Sequence, residues 1–416
     1  MKRLIIFTLA IVLSHGIAWA APKKDNCAVC HADIDAANKK IVAAYQADIH
    51  YQKGLTCAGC HGGDASREDE EAMDPEKGFI GIPTHAEIPG MCGKCHSDAS
   101  FMRHYNPALN IDQEDKYYTS VHGQRLKRGD QKVATCISCH GVHGMLPVSN
   151  TSSPVHKLNI PKTCARCHSD AKYMAGYGIP TNQFEEYAAS VHGVAFLEKQ
   201  TKGAPACNDC HGNHGAAPPG VNDVANVCVT CHAFNGELFQ QSPHRDAFAA
   251  QGLSQCAACH GHHKVMHPTD AMLGVGKDAV CLECHSAGDQ GYAEAAQMKL
   301  ILDSLISGQQ RVKAALAEAQ TLDMDVSEGE TAVEEIREKT IEARTAIHAF
   351  TVEHLMSVAQ PGFLAEARAE SLASAAVYEY KFRRAGFGVA TLVITGLALL
   401  LWLKIRAIER RQRAQD

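Results

Sequence analysis

The 416-residue chain is poor in aromatic side chains, with 2 tryptophans and 12 phenylalanines, and has no surplus of positive charge. Its 40 lysines and arginines stand against 46 aspartates and glutamates, a formal net charge of -6, which excludes a basic nucleic-acid binder. Charged residues, at 21%, are too many for a polytopic membrane protein, and apolar residues, at 45%, too many for a disordered one. No cysteine is unpaired in the sequence pattern, so a lone reactive thiol is excluded as well. What the chain has in quantity is cysteine and histidine together, 18 and 24 residues, and that combination points to metal or cofactor chemistry.

The N-terminus sets the compartment. Lys2 and Arg3 precede an apolar run from Leu4 to Leu13, and Ala18-Trp19-Ala20 is a small-x-small cleavage site. Residues 1–20 therefore read as a secretory signal peptide, with the mature chain beginning near Ala21. Exported cysteines ordinarily suggest disulfides, so their spacing has to decide.

The 18 cysteines fall into nine Cys-x-x-Cys pairs, each followed at once by histidine. They are Cys27/Cys30/His31, Cys57/Cys60/His61, Cys92/Cys95/His96, Cys136/Cys139/His140 and Cys164/Cys167/His168, then Cys207/Cys210/His211, Cys228/Cys231/His232, Cys256/Cys259/His260 and Cys281/Cys284/His285. A disulfide framework is indifferent to the residue after each pair; at this histidine content, nine successes in nine have odds of about one in 10^11. Zinc ribbons need two such pairs per metal and no following histidine. C-x-x-C-H is the attachment sequence of c-type haem: two thiols one short turn apart form thioethers to the porphyrin vinyl groups, and the adjacent histidine is the proximal iron ligand. The reading is nine c-type haems. Over residues 27–285 the chain resembles the multihaem c-type cytochromes, and the resemblance implies haems packed in close pairs and chains that pass electrons by tunnelling.

A looser repeat surrounds the motifs. "DKYYTSVHGQRLKRGDQKVATCISCHGVHG" and "FEEYAASVHGVAFLEKQTKGAPACNDCHGNHG" share Tyr-x-x-Ser-Val-His-Gly and Cys-His-Gly-x-His; "LFQQSPHRDAFAAQGLSQCAACHGHH" and "ADIHYQKGLTCAGCHGG" are more worn copies. One leading motif is thus followed by four two-motif modules, the second motif starting 21 to 35 residues after the first. Gly, Pro, Asn and Asp clusters such as "AAPPGVND" read as loops. The expected fold is mostly helical and irregular, with short helices and loops packed around haems over residues 21–290, whose faces supply the buried apolar surface.

The sixth iron position separates an electron wire from an enzyme, because a second histidine closes it to exogenous ligands. His50, His122, His192 and His244 stand upstream of the first motif of each module. His143, His214 and His263 follow a proximal histidine by three residues, and His85 and His156 precede second motifs. These nine are the expected distal ligands.

Beyond His285 the composition shifts. Met298, Ile301, Leu305, Val312 and Leu316, then Val333, Ile336, Ile347, Phe350 and Val358, follow helical spacing, with "DMDVSEGE" between the runs and Gln360-Pro361-Gly362 ending the second. Residues 291–384 read as an amphipathic helical hairpin folded on itself or against the haem region, with a dimerising coiled coil as the other possibility. His348 and His354 lie six residues apart on different helix faces and read as structural or surface residues. Residues 385–403, "AGFGVATLVITGLALLLWL", hold no charge and suffice for a transmembrane helix with Trp402 at one boundary. The tail 404–416 carries Lys404, Arg406, Arg410, Arg411 and Arg413, which suits the cytoplasmic side of the inner membrane, with the haem region exported to the periplasm.

Three functions fit this pattern. The first is a membrane-anchored carrier moving electrons between a quinone-reactive membrane subunit and periplasmic redox partners. The second is a terminal reductase of a small nitrogen or sulfur oxyanion at an open haem, and the third a structural subunit of a respiratory complex. Every motif is an ordinary C-x-x-C-H, with no residue marking a catalytic haem, and the carrier accounts for the most features.

Overall fold

The computed structural model describes residues 24–215 and 224–414. The expected signal peptide, the segment 216–223 and the last two residues lie outside the described residues. Helices, 3-10 turns and coil make up the backbone, with no strand among the described residues. The chain divides into two compact units, Met1–Val224 with His263–Val265, and Ala225–His262 with Met266–Asp416.

The first unit holds six of the motifs on short helices. First motifs of the modules form single turns, Cys57–His61, Cys136–His140 and Cys207–His211, each closed by a glycine at φ 71°, 83° and 77°. A side chain at these left-handed positions would be strained, which accounts for the Gly after the histidine. Second motifs instead end longer helices, Ile88–His96 and Ile160–His168, each opened by Ile-Pro. Proline suits a helix start, where its missing N–H has no partner to lose. Apolar clusters in this unit are small: Ile160, Phe196, Ala204 and Ala206 form one, and Tyr117, Leu126 and Val133 another. Such an interior is that of a domain completed by flat apolar cofactors.

The second unit contains the remaining motifs and three long helices, α1 (Gln290–Thr321), α2 (Ser327–Ala346) and α3 (Val352–Gln412). Buried residues recur every three or four positions on all three: Met298, Leu302, Leu305, Val312 and Leu316 on α1, Ala332, Val333, Ile336, Thr340 and Ala343 on α2, Leu355, Ala359, Ala365, Ala369 and Ala373 on α3. Small residues face large ones, which lets the axes approach: a Cβ on Gly362 would sit 2.9 Å from Leu305 Cδ2.

The expected hairpin is therefore a three-helix bundle, and Gln360-Pro361-Gly362 does not end a helix. Pro361 lies inside α3. It removes one backbone hydrogen bond, at a cost of about 3 kcal/mol. The run of buried residues on both sides of it, packed against α1 and α2, offsets that cost. Past the bundle α3 continues without a break through the uncharged stretch 385–403, where Phe387 and Leu392 are each 75% exposed. This is the one helix among the described residues long and apolar enough to cross a membrane.

Leu305, fully buried among Met298, Leu302, Leu355 and Ala359, is the point where α1 meets α3. Leu305→Ala is expected to destabilise the bundle by about 2–5 kcal/mol, read as a lowered Tm of its helical circular-dichroism signal.

Candidate haem-binding sites

The sequence repeat is a device for presenting an imidazole. In Tyr117-x-x-Ser120-Val121-His122-Gly123 the Ser120 hydroxyl donates to Tyr117 O at 2.6 Å and accepts the Gly123 N–H at 3.1 Å, so it caps the helix that carries His122. Gly123 is needed because a Cβ there would run into the Tyr117 carbonyl. The Tyr117 hydroxyl donates to Ala134 O at 2.8 Å, two residues before Cys136, and so ties the presenting segment to the motif it precedes. The next copy repeats each contact: Ser190 to Tyr187 O at 2.6 Å, Gly193 N–H to Ser190 at 3.0 Å, and Tyr187 to Pro205 O at 2.8 Å, two residues before Cys207. At the N-terminal copy Asp48 takes the place of serine, accepting the His50 N–H at 2.8 Å, and the Tyr45 hydroxyl donates to Leu55 O, again two residues before a motif cysteine. The last copy keeps Ser242, donating to Phe239 O at 2.7 Å, but its phenylalanine has no hydroxyl to fasten.

These frames bring histidines together in facing pairs. His50 stands 6.1 Å from His96, His122 6.1 Å from His168, and His244 6.0 Å from His285, measured between ring centres. In each the upstream histidine faces the second motif of its own module, with the ring planes at 86°, 57° and 83°. A second set is staggered. His143 faces His61 at 6.0 Å, His214 faces His140 at 6.2 Å, and His263 faces His211 at 5.9 Å, so the histidine three residues past one module's proximal residue reaches the first motif of the module before it. Ring planes in this set lie close to parallel, at 22°, 2° and 32°.

The spacing fits an iron. Two metal–nitrogen bonds of about 2 Å, with about 1 Å from each ligating nitrogen to its ring centre, place ring centres about 6 Å apart. The ring nitrogens that hold second-sphere contacts leave the other nitrogen available. His50 Nδ1 lies 2.8 Å from Asp48 Oδ1, His61 Nδ1 donates to Gly81 O at 2.7 Å, and His285 Nδ1 lies 3.2 Å from Asp289 Oδ1. That pattern, Nδ1–H on a carboxylate or carbonyl and Nε2 toward the metal, is the usual orientation of a ligating histidine. Burial also pushes His122, His140, His168 and His214 down from the ordinary imidazole value, which keeps them neutral, the form that ligates. None of the 18 thiols is bridged to another. Thiols of successive motifs are neighbours instead, Cys92 with Cys136, Cys164 with Cys207, and Cys228 with Cys256. Groups attached there would be immediate neighbours.

Six further expected site residues are less enclosed by the polypeptide than a packed interior would make them. Cys30, Cys231 and Cys284 are exposed, and Cys167 and Cys210 are half-buried; all five are the second cysteine of their motif. The chain itself does not cover these sulfurs, as fits thiols turned toward a flat partner rather than into a core. What surrounds them is local. The Thr230 hydroxyl lies 3.9 Å from Cys231 Sγ. Burial, followed by the neighbouring Cys281 and Cys284, pushes the Cys259 thiol up to about 11. Burial raises the Tyr173 and Tyr187 phenols as well, with Cys167 next to the first and Cys207 and Cys210 next to the second. His232, the expected proximal ligand of the seventh motif, is also exposed. Its N–H donates to Cys228 O at 2.9 Å, so the turn of the motif is formed, and the helix Ala233–Gln241 starts directly after it. Together with burial and His348, the His232 ring holds His260 below the ordinary imidazole value. At these six positions the expected attachment and ligation rest on the motif, not on packing.

Two expected partners are placed elsewhere. His85 Nε2 donates to Val133 O at 2.7 Å, and His156 caps the 3-10 turn Lys157–Asn159, its Nδ1 accepting the Leu158 N–H at 3.3 Å. Neither is brought to a proximal imidazole. His192 occupies the same local frame as His122. His31 Nδ1 lies 3.4 Å from Asn38 Oδ1. Sequence reasoning missed His348, which faces His260 at 6.2 Å with planes at 21°. Its position among helical residues concealed it, although the last first-motif histidine has no following module to supply a partner.

Gly123→Ala is expected to cost about 1–3 kcal/mol, because backbone rather than a flexible side chain blocks the added methyl. Gly203→Ala, where nothing lies within 4 Å, should stay within about 0.5 kcal/mol. Thermal denaturation of the two holoproteins separates the outcomes.

A family model described as cytochrome c3 matches residues 49–169, a stretch that contains the motifs at Cys57, Cys92, Cys136 and Cys164. Among characterised proteins the chain is similar to the C-type polyheme cytochrome OmcC of Geobacter sulfurreducens, 21% identical over 229 residues that cover 50% of this chain and 26% of that protein. It is also similar to the multiheme cytochrome MtrA of Shewanella baltica, 23% identical over 301 residues, 63% of this chain and 76% of that one. The chain thus spans about a quarter of the first relative and about three quarters of the second. No solved structure matches. C-x-x-C-H motifs, imidazoles paired at the width of an iron centre, and relatives named as multihaem cytochromes together support c-type haem as the cofactor and a likeness to the multihaem c-type cytochromes.

Proposed function

We propose that the chain is a membrane-anchored electron conduit carrying nine c-type haems, one on each C-x-x-C-H motif. The observation that carries this reading is the staggered set of facing imidazoles. His50, His122 and His244 would complete the coordination of the second-motif irons at His96, His168 and His285. His143, His214 and His263 would complete those at His61, His140 and His211, and His192 is assigned the same distal role by its frame. Two histidines on each of these irons would leave no position for substrate, and the haem would supply a low-spin centre suited to one-electron transfer. Close attachment at Cys92 with Cys136, Cys164 with Cys207, and Cys228 with Cys256 supports tunnelling from one module to the next, since tunnelling weakens steeply with distance.

The uncharged stretch 385–403 would anchor the chain in the inner membrane. The basic n-region at Lys2 and Arg3 and the five Lys and Arg of the tail support a periplasmic haem region and a cytoplasmic C-terminus. A single spanning helix offers no quinone pocket of its own, so the donor in this reading is a quinone-reactive membrane subunit, and the acceptors are periplasmic redox proteins.

EPR of the fully oxidised protein tests the conduit. The irons with a facing histidine are expected to be low-spin, in two classes; the iron at His31, which no histidine ring faces among the described residues, lies outside this expectation. Steeply crossed ligand planes give highly anisotropic signals and near-parallel planes give rhombic ones, and neither should respond to nitrite or hydroxylamine. A high-spin signal that shifts with added ligand would favour the reductase instead.

A second expectation concerns Asp48, whose carboxylate accepts from the His50 ring. An anionic acceptor makes the imidazole a stronger donor and stabilises ferric iron. Asp48→Asn should raise the midpoint potential of one haem, by about 59 mV for each tenfold loss of ferric preference, in a spectroelectrochemical titration.

A further inference from the structure

The staggered pairing has an end. Each first-motif histidine is faced by the histidine three residues beyond the proximal residue of the following module, and after the fourth module there is no further module. His285, the last proximal histidine, is followed by Ser286, Ala287 and Gly288. His260 nevertheless has a facing imidazole, and it comes from the helical bundle.

We propose that His348 is the second axial ligand of the haem attached at Cys256 and Cys259, so that the bundle carrying the membrane helix also supplies a ligand of the electron path. The inference rests on reading the facing pairs as axial ligands, and it extends that reading to a residue outside the motif region.

Four observations support it. The His260–His348 separation of 6.2 Å and plane angle of 21° fall with the near-parallel set formed by His143, His214 and His263, not with the steep set of upstream histidines. His348 Nδ1 donates to Thr345 O at 2.9 Å, which settles the tautomer and leaves the Nε2 lone pair for iron. Coordination then forms one nitrogen–iron bond and moves no proton or electron. The Asn235 amide nitrogen lies 3.2 Å and 3.5 Å from the two ring nitrogens, nearly equidistant, which is a contact against the ring rather than in line with either lone pair. Finally, the ring is held by a built turn. His348 sits in the 3-10 turn Ile347–Ala349, which ends with Phe350 at φ 52°, a left-handed conformation rare for a bulky residue. Phe350 in turn packs 4.2 Å from the ring of His244, partner of His285. One strained turn between α2 and α3 thus bears on two successive iron sites.

The experiment uses full-length holoprotein in detergent, as wild type and as the His348→Leu, His348→Met and His354→Leu variants. His354 is on the same bundle and no histidine ring among the described residues faces it, so it controls for helix perturbation. The expected result for His348→Leu is that one rhombic low-spin component is replaced by a high-spin ferric signal. The ferrous protein should then bind one carbon monoxide that wild type does not bind, and added imidazole should restore the low-spin spectrum. His348→Met should stay low-spin, with a new methionine–iron charge-transfer band and a raised potential for that haem alone. His354→Leu should match wild type. A His348→Leu spectrum identical to wild type, with no carbon monoxide bound beyond the wild-type amount, would overturn the inference while the conduit stands. If His348→Leu does not accumulate, His348→Met decides: an unchanged spectrum without the new band overturns the inference. Binding of more than one carbon monoxide by wild type, beyond the iron at His31 that no described histidine ring faces, would instead overturn the reading of the facing pairs as closed iron centres.

Discussion

The constraint on which the rest of the structure depends is the width of an iron centre between two imidazoles. In the proposed conduit, thioether attachment would fix one ring beside each Cys-x-x-Cys, and the other would have to be delivered across about 6 Å by a different stretch of chain. A histidine on a free loop would sample many positions and lose the contact to entropy. The presenting segments remove that freedom with a short list of contacts. In the two best-preserved copies a serine caps the helix that bears the ring, a glycine lets that helix turn tightly against the preceding carbonyl, and a tyrosine hydroxyl pins the segment two residues before the motif; the first copy keeps the tyrosine with aspartate for serine, and the last keeps only the serine. Each contact is modest alone, about 1 kcal/mol for an ordinary hydrogen bond. Together they set the position of an imidazole that has only one useful place.

The stagger turns this local device into a global one. An upstream histidine faces a proximal ring within its own module, but the H-x-x-H histidine faces one in the module before. No module of the first unit completes its own set of pairs, so the cofactor sites and the fold of neighbouring modules are formed together. In the proposed conduit this would also account for a region whose apolar clusters hold only three or four buried residues: the apolar surface and the cross-links would both come from the prosthetic groups. The thiols that touch between successive motifs follow from the same arrangement, since a module that lends a histidine to its predecessor has to lie against it.

Much of this was legible in the sequence because covalent chemistry and repetition leave residue-level marks. Cys-x-x-Cys-His is the sequence that haem attachment demands and recurs nine times, and Tyr-x-x-Ser-Val-His-Gly is preserved well enough in two copies to point to His122. His50 could be found although serine had become Asp48, because the spacing to the motif survived. For Cys30, Cys231, Cys284 and His232 the motif says more than the packing does, since exposed side chains carry no mark of what they hold. The partners that were not legible lack such marks. His85 and His156 stand near second motifs in sequence, but His85 is committed to the Val133 carbonyl and His156 to capping a turn, and neither commitment has a local signature. His348 sits in a helical pattern that by itself reads as packing. Only the missing fifth module signals that a ring must come from somewhere else, and that signal appears once the pairing rule is known. Pro361 misled for a related reason: a proline is a local stop, whereas the continuity of α3 is a tertiary effect of Leu355, Ala359, Ala365 and Ala369 packing on two other helices.

The bundle's geometry bears on how electrons would enter. The turn that carries His348 lies at the junction of α2 and α3, while Ala369 and Ala373 on α3 pack at the opposite end of the bundle with Val312, Leu316 and Val326. The uncharged stretch begins beyond that opposite end, at residue 385. From Val352 to Ala385 the helix covers 34 residues, a rise of about 50 Å at 1.5 Å per residue. The bundle therefore holds the His260 and His244 sites away from the apolar span instead of bringing them to it. A quinol dissolved in the bilayer would be too far from either site for direct tunnelling. A single helix with exposed Phe387 and Leu392 has nothing of its own to bridge the gap, so in the proposed conduit the bridge has to be a partner's redox centre docked alongside the bundle. In the proposed conduit the same rigidity would make the anchor a spacer: it would fix the height of the iron sites above the membrane, and with it the size of the partner that could reach them.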